Sequence, residues 1–364
     1  MDERQFSPIN AYTPPLASIY LSESRSNLGS DAAWHELLWG ACALEQLRAD
    51  RGEIAQQTAS NFKSRCARYL VCAFPGLTPL QIQHPQIQAL AHDLALKGLG
   101  AASIRQILQV VRKVLKYGFH TGALDRIPDF PTIRTASVPR GGFTPQELLT
   151  LWRTARRLAQ VGPEAMRIES THRDTQGRLF ARDAPIPVEM RWLIAFMVNS
   201  FMRPSDLKNL QHQHVEVVRG RYTYLRLRLP ESKRHTETII TLRPAVRIYE
   251  RLLALAQSRE RASPMDYVFY PEVRNRKSAM MAMDHHFRRV LEHAGLRQGQ
   301  RGQTRSLYSL RHTAITFRLL YGQGIDLLTL AKNARTSVAM IEKFYASELN
   351  PEMNVGMLQS RRGA

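Results

Sequence analysis

The sequence predicts a mainly α fold with a small antiparallel β-sheet, arranged as an all-α N-terminal bundle followed by a mixed α+β domain. Three observations carry this expectation. The chain has 364 residues, beyond the size at which one hydrophobic core usually stops growing. Apolar residues recur at three- and four-residue spacing through most of its length. The stretch HVEVV, YTYLRLRL and TIITL replaces that period with short β-type runs separated by turn residues.

Taken in order, residues 1–30 are polar and proline-bearing and read as a flexible lead-in. Residues 31–126 form the α-helical bundle. The runs AAWHELLWGACALEQL, SNFKSRCARYLVCAF, PQIQALAHDLALKG and ASIRQILQVVRKVLKYGF each place apolar residues on one helical face. The last run mixes Arg105, Arg112, Lys113 and Lys116 with Ile107, Leu108, Val111 and Leu115. One face would pack, and the other could either meet phosphate or be simply solvated. Residues 127–142 form a linker, because Pro128, Pro131 and Pro139 remove donors and break helical period.

The second domain, residues 143–350, opens on TPQE. Thr144 suits the N-cap, Pro145 the first helical position and Glu147 the capping box. ESTHRDTQGRLFARDAP reads as an exposed loop, and VEMRWLIAFMVNSF as a buried helix ending at MRPSDLKNL. The three strands follow, with Lys233 in the turn between the second and third. Helical period resumes at MDHHFRRVLEHAG and continues through SLRHTAITFRLLYGQG, DLLTLAKNA and SVAMIEKFYASEL. Residues 351–364 are a C-terminal tail. With Leu349, its Met353, Met357 and Leu358 keep near-helical spacing, which suits docking on a neighbouring protomer.

Charge narrows the function. Fifty-one Lys+Arg against 31 Asp+Glu give a formal net charge of +20, a field that attracts polyanions, nucleic acid first among them. No apolar run approaches the length a membrane helix needs, and the N-terminus lacks the order of a secretory signal. Cys42, Cys66 and Cys72 form no CxxC pair and read as reduced thiols of a cytosolic protein. His212 with His214, and His285 with His286, have too few matched partners for a metal site.

Within YSLRHTAITFRLL, Ser309 is a candidate N-cap, which would put Arg311 in the first helical turn. A cation there is disfavoured by the helix dipole unless an anion shares the site. Arg203 follows the buried helix, Lys233 sits in a β-turn, and Tyr345 lies near the end of a later helix. Two arginines, a lysine and a tyrosine suit attack of a phenol oxygen on a phosphodiester.

These motifs, over about residues 145–350, resemble the tyrosine recombinase (phage integrase) family, and the helical bundle resembles that family's core DNA-binding domain. The resemblance implies a tyrosine-recombinase catalytic domain with Arg203, Lys233, Arg311, His312 and Tyr345 at its site. Lys277 is a lower-ranked alternative to Lys233. Asp206 stands for the usual glutamate, and Tyr308 for the usual histidine or lysine. Ten residues before Tyr345 stands Arg335, at the position of a family glycine. Thr336 therefore occupies the position of a histidine or tryptophan, or simply caps the next helix. Phe201 also replaces a glycine.

By the same resemblance, Tyr345 is the nucleophile of a 3′-phosphotyrosyl intermediate. The two guanidiniums neutralise the phosphate oxygens, and Lys233 protonates the leaving 5′-hydroxyl. His312 positions the phosphate or takes a proton. No cofactor is implied, neither metal nor ATP. The expected function is site-specific DNA integration or excision of a mobile element, by a homo-tetramer on two double-stranded DNA sites. An accessory DNA-bending protein and a cytoplasmic, nucleoid-associated location fit that reading. The alternatives are a catalytically impaired DNA-binding protein of this fold and a type IB topoisomerase-like strand transferase.

Overall fold

The computed structural model describes residues 30–135, 141–160, 185–229, 238–300, 302–322 and 324–345. The chain divides into two compact units, residues 1–137 and 138–364. The lead-in, the loop after the first helix of the second unit and the C-terminal tail fall outside the described residues.

The described residues of the first unit include four α-helices: α1 (Ser30–Asp50), α2 (Gln56–Arg65), α3 (His84–Leu96) and α4 (Ala101–His120). They coincide with the four apolar-periodic runs, and α4 buries Ile107, Leu108, Val111 and Leu115 as the spacing requires. The run after α2 is not one regular helix. Cys66–Leu70 widen into a π-helical turn, in which the Val71 N–H reaches Cys66 O at 3.2 Å. Trp34 of α1 fastens this turn, donating its indole N–H to Leu70 O at 2.8 Å and meeting the Phe74 ring edge-on at 5.0 Å. The buried indole is thereby both packed and satisfied.

Glu45 of α1 is buried and binds Arg48 and Lys113, each at 2.7 Å. Lys113 is thus an internal link between α1 and α4. Arg112 lies over the Phe130 ring at 4.5 Å, while Arg105 and Lys116 are exposed. The basic face of α4 is therefore narrower than its sequence suggests. Cys42 and Cys66 are buried free thiols, and Cys72 is an exposed one.

The second unit contains α5 (Pro145–Gln160), α6 (Glu189–Ser200) and the single turn α7 (Pro204–Leu207). Strands β1 (Val215–Val218), β2 (Tyr224–Leu227) and β3 (Ile239–Ile240) follow. They pair antiparallel in the order β1-β2-β3, with Val217 opposite Leu225 and Leu227 opposite Ile239. Leu225 and Leu227 are buried while Tyr224 and Arg226 face outward, the period-two signature of a half-buried strand. The last five helices are α8 (Pro244–Ser258), α9 (Arg276–His293), α10 (Leu307–Tyr321), α11 (Leu327–Asn333) and α12 (Val338–Tyr345).

Two elements differ from expectation. Helix α8 was not expected, although its signal is present: Pro244 at the first position, then Ala245, Val246, Ile248, Tyr249, Leu252 and Ala256 buried at helical spacing. Helix α9 begins earlier than MDHHF, because the Asn275 side chain caps it by accepting from the N–H groups of Lys277 and Ser278. Helix α6 is apolar nearly all round and runs through the main core, burying Met190, Leu193, Ile194, Phe196 and Met197. A second, smaller core joins Phe201, Ala314, Ile315, Leu330, Ala334 and Ile341, where α10, α11 and α12 meet the end of α6. Among the described residues no helix is long and apolar enough to cross a membrane.

The expected capping box of α5 is present. Thr144 N–H reaches Glu147 Oε2 at 2.9 Å, and Glu147 N–H reaches Thr144 Oγ1 at 3.2 Å. The same carboxylate receives Arg305 at 2.8 and 3.0 Å, and Arg305 is only 3% exposed and stacked on Phe143 at 4.6 Å. Thr144→Ala should cost about 1 kcal/mol, the usual value of an N-cap. Glu147→Ala should cost about 3 kcal/mol or more, because it strips a buried guanidinium of its carboxylate. Urea unfolding of the two variants checks the ranking, and equal losses would contradict it.

Candidate active site

The site is organised around helix α10. Its N-cap is Ser306, not Ser309, whose Oγ instead accepts from the Ser306 N–H at 3.2 Å. The helix therefore starts upstream of the expected position, and Arg311 lies in its second turn. The dipole argument loses force there, since that field fades beyond the first turn. Burial and hydrogen bonding place Arg311 instead. The side chain is 4% exposed and donates to Phe201 O and, at 2.5 Å, to Ala334 O.

Both acceptors terminate helices. Phe201 follows the last residue of α6, and Ala334 is the C-cap of α11. Carbonyls at a helix C-terminus lack intrahelical donors and carry partial negative charge, so they suit a guanidinium. Arg203, in the turn between α6 and α7, donates to the next such carbonyl, Arg335 O. Its Nη1 also lies 3.9 Å from the Asp206 carboxylate.

Phe201 and Arg335 have φ of 57° and 51°. These are the two positions noted above as lacking a family glycine, and both are indeed left-handed. Around Arg335 the turn is a Schellman motif: Arg335 N–H bonds Lys332 O and Thr336 N–H bonds Ala331 O, each at 2.8 Å. Thr336 closes that turn through its backbone. The expectation that it caps the next helix is corrected, because Ser337 Oγ accepts the Met340 N–H at 3.3 Å.

Tyr345 ends α12 and packs against the smaller core. Its ring stacks on His312, with centroids 4.4 Å apart and planes inclined by 22°. Burial raises the phenol pKa above 10, Arg311 opposes that rise within hydrogen-bonding reach, Tyr308 adds to it, and Arg203 opposes it. Arg311 itself is pushed down to about 10, first by burial and then by Arg203, so it stays cationic at neutral pH. His312, 6% exposed, is driven down to about 4 by burial and is a neutral ring at pH 7. The backbone at Gly142 is packed against it: a Cβ there would lie 3.2 Å from His312 Cδ2.

Tyr308, 40% exposed, stands on the rim of an open groove of about 570 Å³ with Pro204, Ser205, Lys208, Met280 and Asp284. Lys233 lies outside the described residues, in the segment between the ends of β2 and β3. Strand β3 itself is fixed to α11, since Asn333 offers Oδ1 to Ile240 N–H at 2.7 Å and Nδ2 to Ile240 O at 3.0 Å. The alternative Lys277 is exposed in the first turn of α9. His212 and His286 are buried beside tyrosines. His212 Nδ1 is 3.1 Å from the Tyr249 hydroxyl, and His286 Nδ1 is 2.7 Å from that of Tyr270.

Of the seven residues expected at the site, Arg203, Tyr308, Arg311, His312 and Tyr345 converge. What the sequence did not disclose is that both arginines rest on backbone carbonyls. Two guanidiniums beside a phenol, ringed by helix ends, have the charge and geometry that suit a tetrahedral oxyanion. Residues 175–348 match the Phage integrase family. That segment of the second unit belongs to this family.

Beyond the integrase-family segment, likeness extends to whole solved structures. A lambda integrase dimer bound to a COC' core site shares 17% identity, over 85% of this chain and 94% of that one, at a TM-score of 0.59. A lambda integrase tetramer bound to a Holliday junction shares 15% identity, over 92% and 81%, at 0.62. The Tn1549 transposon integrase in complex with a circular intermediate DNA shares 12%, over 88% and 98%, at 0.56. At such identities the likeness establishes the fold. A comparison with curated proteins found no match.

Two predictions follow from the geometry. Phe201→Gly relieves a left-handed backbone worth about 1–2 kcal/mol. It also empties a buried aromatic site worth about 3–5 kcal/mol, so the variant should unfold at lower urea concentration. For His312 the folded pKa lies below the unfolded value, so the unfolded chain binds more protons between pH 6.5 and about 4. Stability is then complete above pH 6.5 and falls as pH drops toward 4, by at most about 1.4 kcal/mol per pH unit. His212 and His214, also lowered by burial, add to the fall. Thermal melts of His312→Phe against the parent isolate its share: the variant should show the shallower pH slope.

Proposed function

We propose that the protein is a site-specific DNA strand transferase of the tyrosine recombinase type, acting in integration or excision of a mobile element. The observation that carries this reading is the convergence of Arg203, Arg311 and Tyr345. It supports phosphodiester transfer through the phenol oxygen. The phenol oxygen attacks phosphorus, the bond to the 5′ oxygen breaks, and a 3′-phosphotyrosyl ester conserves the bond. The guanidiniums neutralise the non-bridging oxygens as charge grows. Lys233 hands a proton to the departing 5′-hydroxyl.

The phenol proton needs another destination. His312 is stacked face to face on the Tyr345 ring, a geometry for holding the ring in place. Tyr308 is a poor base at neutral pH but opens the site to water. Water reached past Tyr308 takes the proton, and both guanidiniums favour the phenolate once phosphate has displaced bulk solvent. Thr336 acts through the Schellman turn that aims α12. Double-stranded DNA is the substrate. Homo-tetramers on paired sites, an accessory DNA-bending protein and association with the nucleoid complete the proposal. The lambda integrase tetramer on a Holliday junction supports the tetramer.

A DNA-binding protein without cleavage is the second reading, favoured by the burial that raises the Tyr345 phenol and by Tyr308 at the base position. A nicked duplex carrying the recognition site, taken from DNA flanking the gene, separates the two. The parent should accumulate a covalent protein–DNA adduct, and Tyr345→Phe should form none. Arg203→Ala should slow adduct formation by about 10² or more, the usual loss for one oxyanion donor. Tight binding with no adduct in the parent would favour the second reading.

A further inference from the structure

Helices α6 and α8 lie side by side and antiparallel. The Leu242 N–H, just before α8, bonds Asn199 O near the end of α6 at 2.9 Å, and Arg259, just after α8, pairs with Glu189 at the start of α6. Along α8, Arg243, Arg247 and Arg251 recur at four-residue spacing and are exposed. Each step covers about 6 Å and the row about 12 Å. It begins beside the end of α6 that bears the clamp and leads away from it.

At its far end the row meets Trp192. Arg251 lies over that ring at 5.0 Å and Arg191 at 4.6 Å. Burial and then the charges of Arg156 of α5 and Arg251 act against the Arg191 guanidinium, while Glu250 of α8 is engaged by Arg219. Among the described residues none of these five arginines has an ion pair, and Arg191 Nε is buried without an acceptor. Like-charged side chains gathered in this way raise the energy of the free protein unless an anion joins them. Stacking on an aromatic face holds a guanidinium plane while leaving its N–H edge open to phosphate oxygens.

We infer that Arg243, Arg247, Arg251, Arg191 and Arg156 form a second phosphate-binding track, separate from the clamp, that holds nucleic-acid backbone. An acidic protein surface fits less well. Protein interfaces bury an apolar centre, whereas the exposed face of α8 offers no large apolar side chain. The inference rests on the DNA-acting reading above and extends it. The backbone bound could belong to the flank of the duplex in the clamp or to a second duplex.

The test uses the full-length protein and the triple variant R156Q/R247Q/R251Q, which leaves the clamp untouched. One arm measures affinity for duplexes of about 15 and about 40 base pairs, roughly one and four helical turns, across a salt series. The other asks whether protein saturated with unlabelled duplex captures a second, labelled one. We expect the variant to lose three phosphate contacts. Its slope of log K against log salt should then fall by about 2.7.

A loss confined to the longer duplex assigns the track to the flank, and a loss of second-duplex capture assigns it to a neighbouring site. The lysine counterpart R156K/R247K/R251K should retain the parent slope, since charge is kept. Unchanged slopes and capture in the glutamine variant would overturn the inference and leave an acidic protein as the ligand. Equal loss in the lysine and glutamine variants would also overturn it, marking a structural effect. Adduct formation by the parent is scored separately, so failure of the recombinase reading is not confused with failure of the track.

Discussion

The buried Arg311 guanidinium is the interaction on which the rest of the site depends. A charge removed from water needs compensation, and the groups bonded to Arg311 are carbonyls, not a carboxylate. The two oxygens it engages end α6 and α11. Those helix ends must therefore arrive together at one point. Once they do, the turn after α6 carries Arg203 beside them, and Arg203 takes the next carbonyl of the α11 turn. Helix α12 leaves that same turn and ends on Tyr345. The positions of clamp and phenol thus follow from one need to satisfy a cation.

Carbonyl acceptors have an electrostatic consequence. A carboxylate partner would neutralise Arg311 and weaken its pull on phosphate. Carbonyl dipoles satisfy the N–H groups yet leave the unit charge in place. The Asp206 carboxylate, 3.9 Å from Arg203, is a loose partner. The clamp therefore keeps a net positive potential toward the open groove. The same field acts on Tyr345, where it opposes the burial that raises the phenol. Charge and burial pull in opposite directions on one proton, and an entering phosphate changes both.

Much of this was legible in the sequence. Helical period located four bundle helices, and alternation located three strands, because those patterns reflect which face meets the core. The capping box at Thr144 and Glu147 needed only local geometry. Arg203, Arg311 and Tyr345 could be chosen because together they suit attack of a phenol on a phosphodiester, and His312 through the family resemblance. The start of α10 is not decided by residue type, since Ser306 and Ser309 are equivalent in that respect and only the tertiary setting selects between them. Helix α8 carries a clear period, yet it follows directly on the strand run TIITL, which masks its start. The carbonyl acceptors had no residue-type signal at all, since every residue has a carbonyl. Their trace was indirect, in the two positions where a glycine was missed.

Those two positions show how strain and packing are balanced. A left-handed residue at a helix end turns the chain so that its carbonyl faces back toward the preceding core. Glycine adopts that conformation at little steric cost, but it contributes nothing to packing and adds freedom to the unfolded chain. Here Phe201 accepts the unfavourable φ and fills the smaller core between α10, α11 and α12. Its ring therefore stabilises the same helices whose ends supply the acceptors of Arg311. Arg335, buried in the matching turn, accepts the same constraint for the carbonyl that Arg203 requires. The backbone strain at both turns is offset by contacts that also fix the clamp, so the strain persists where the chemistry is placed.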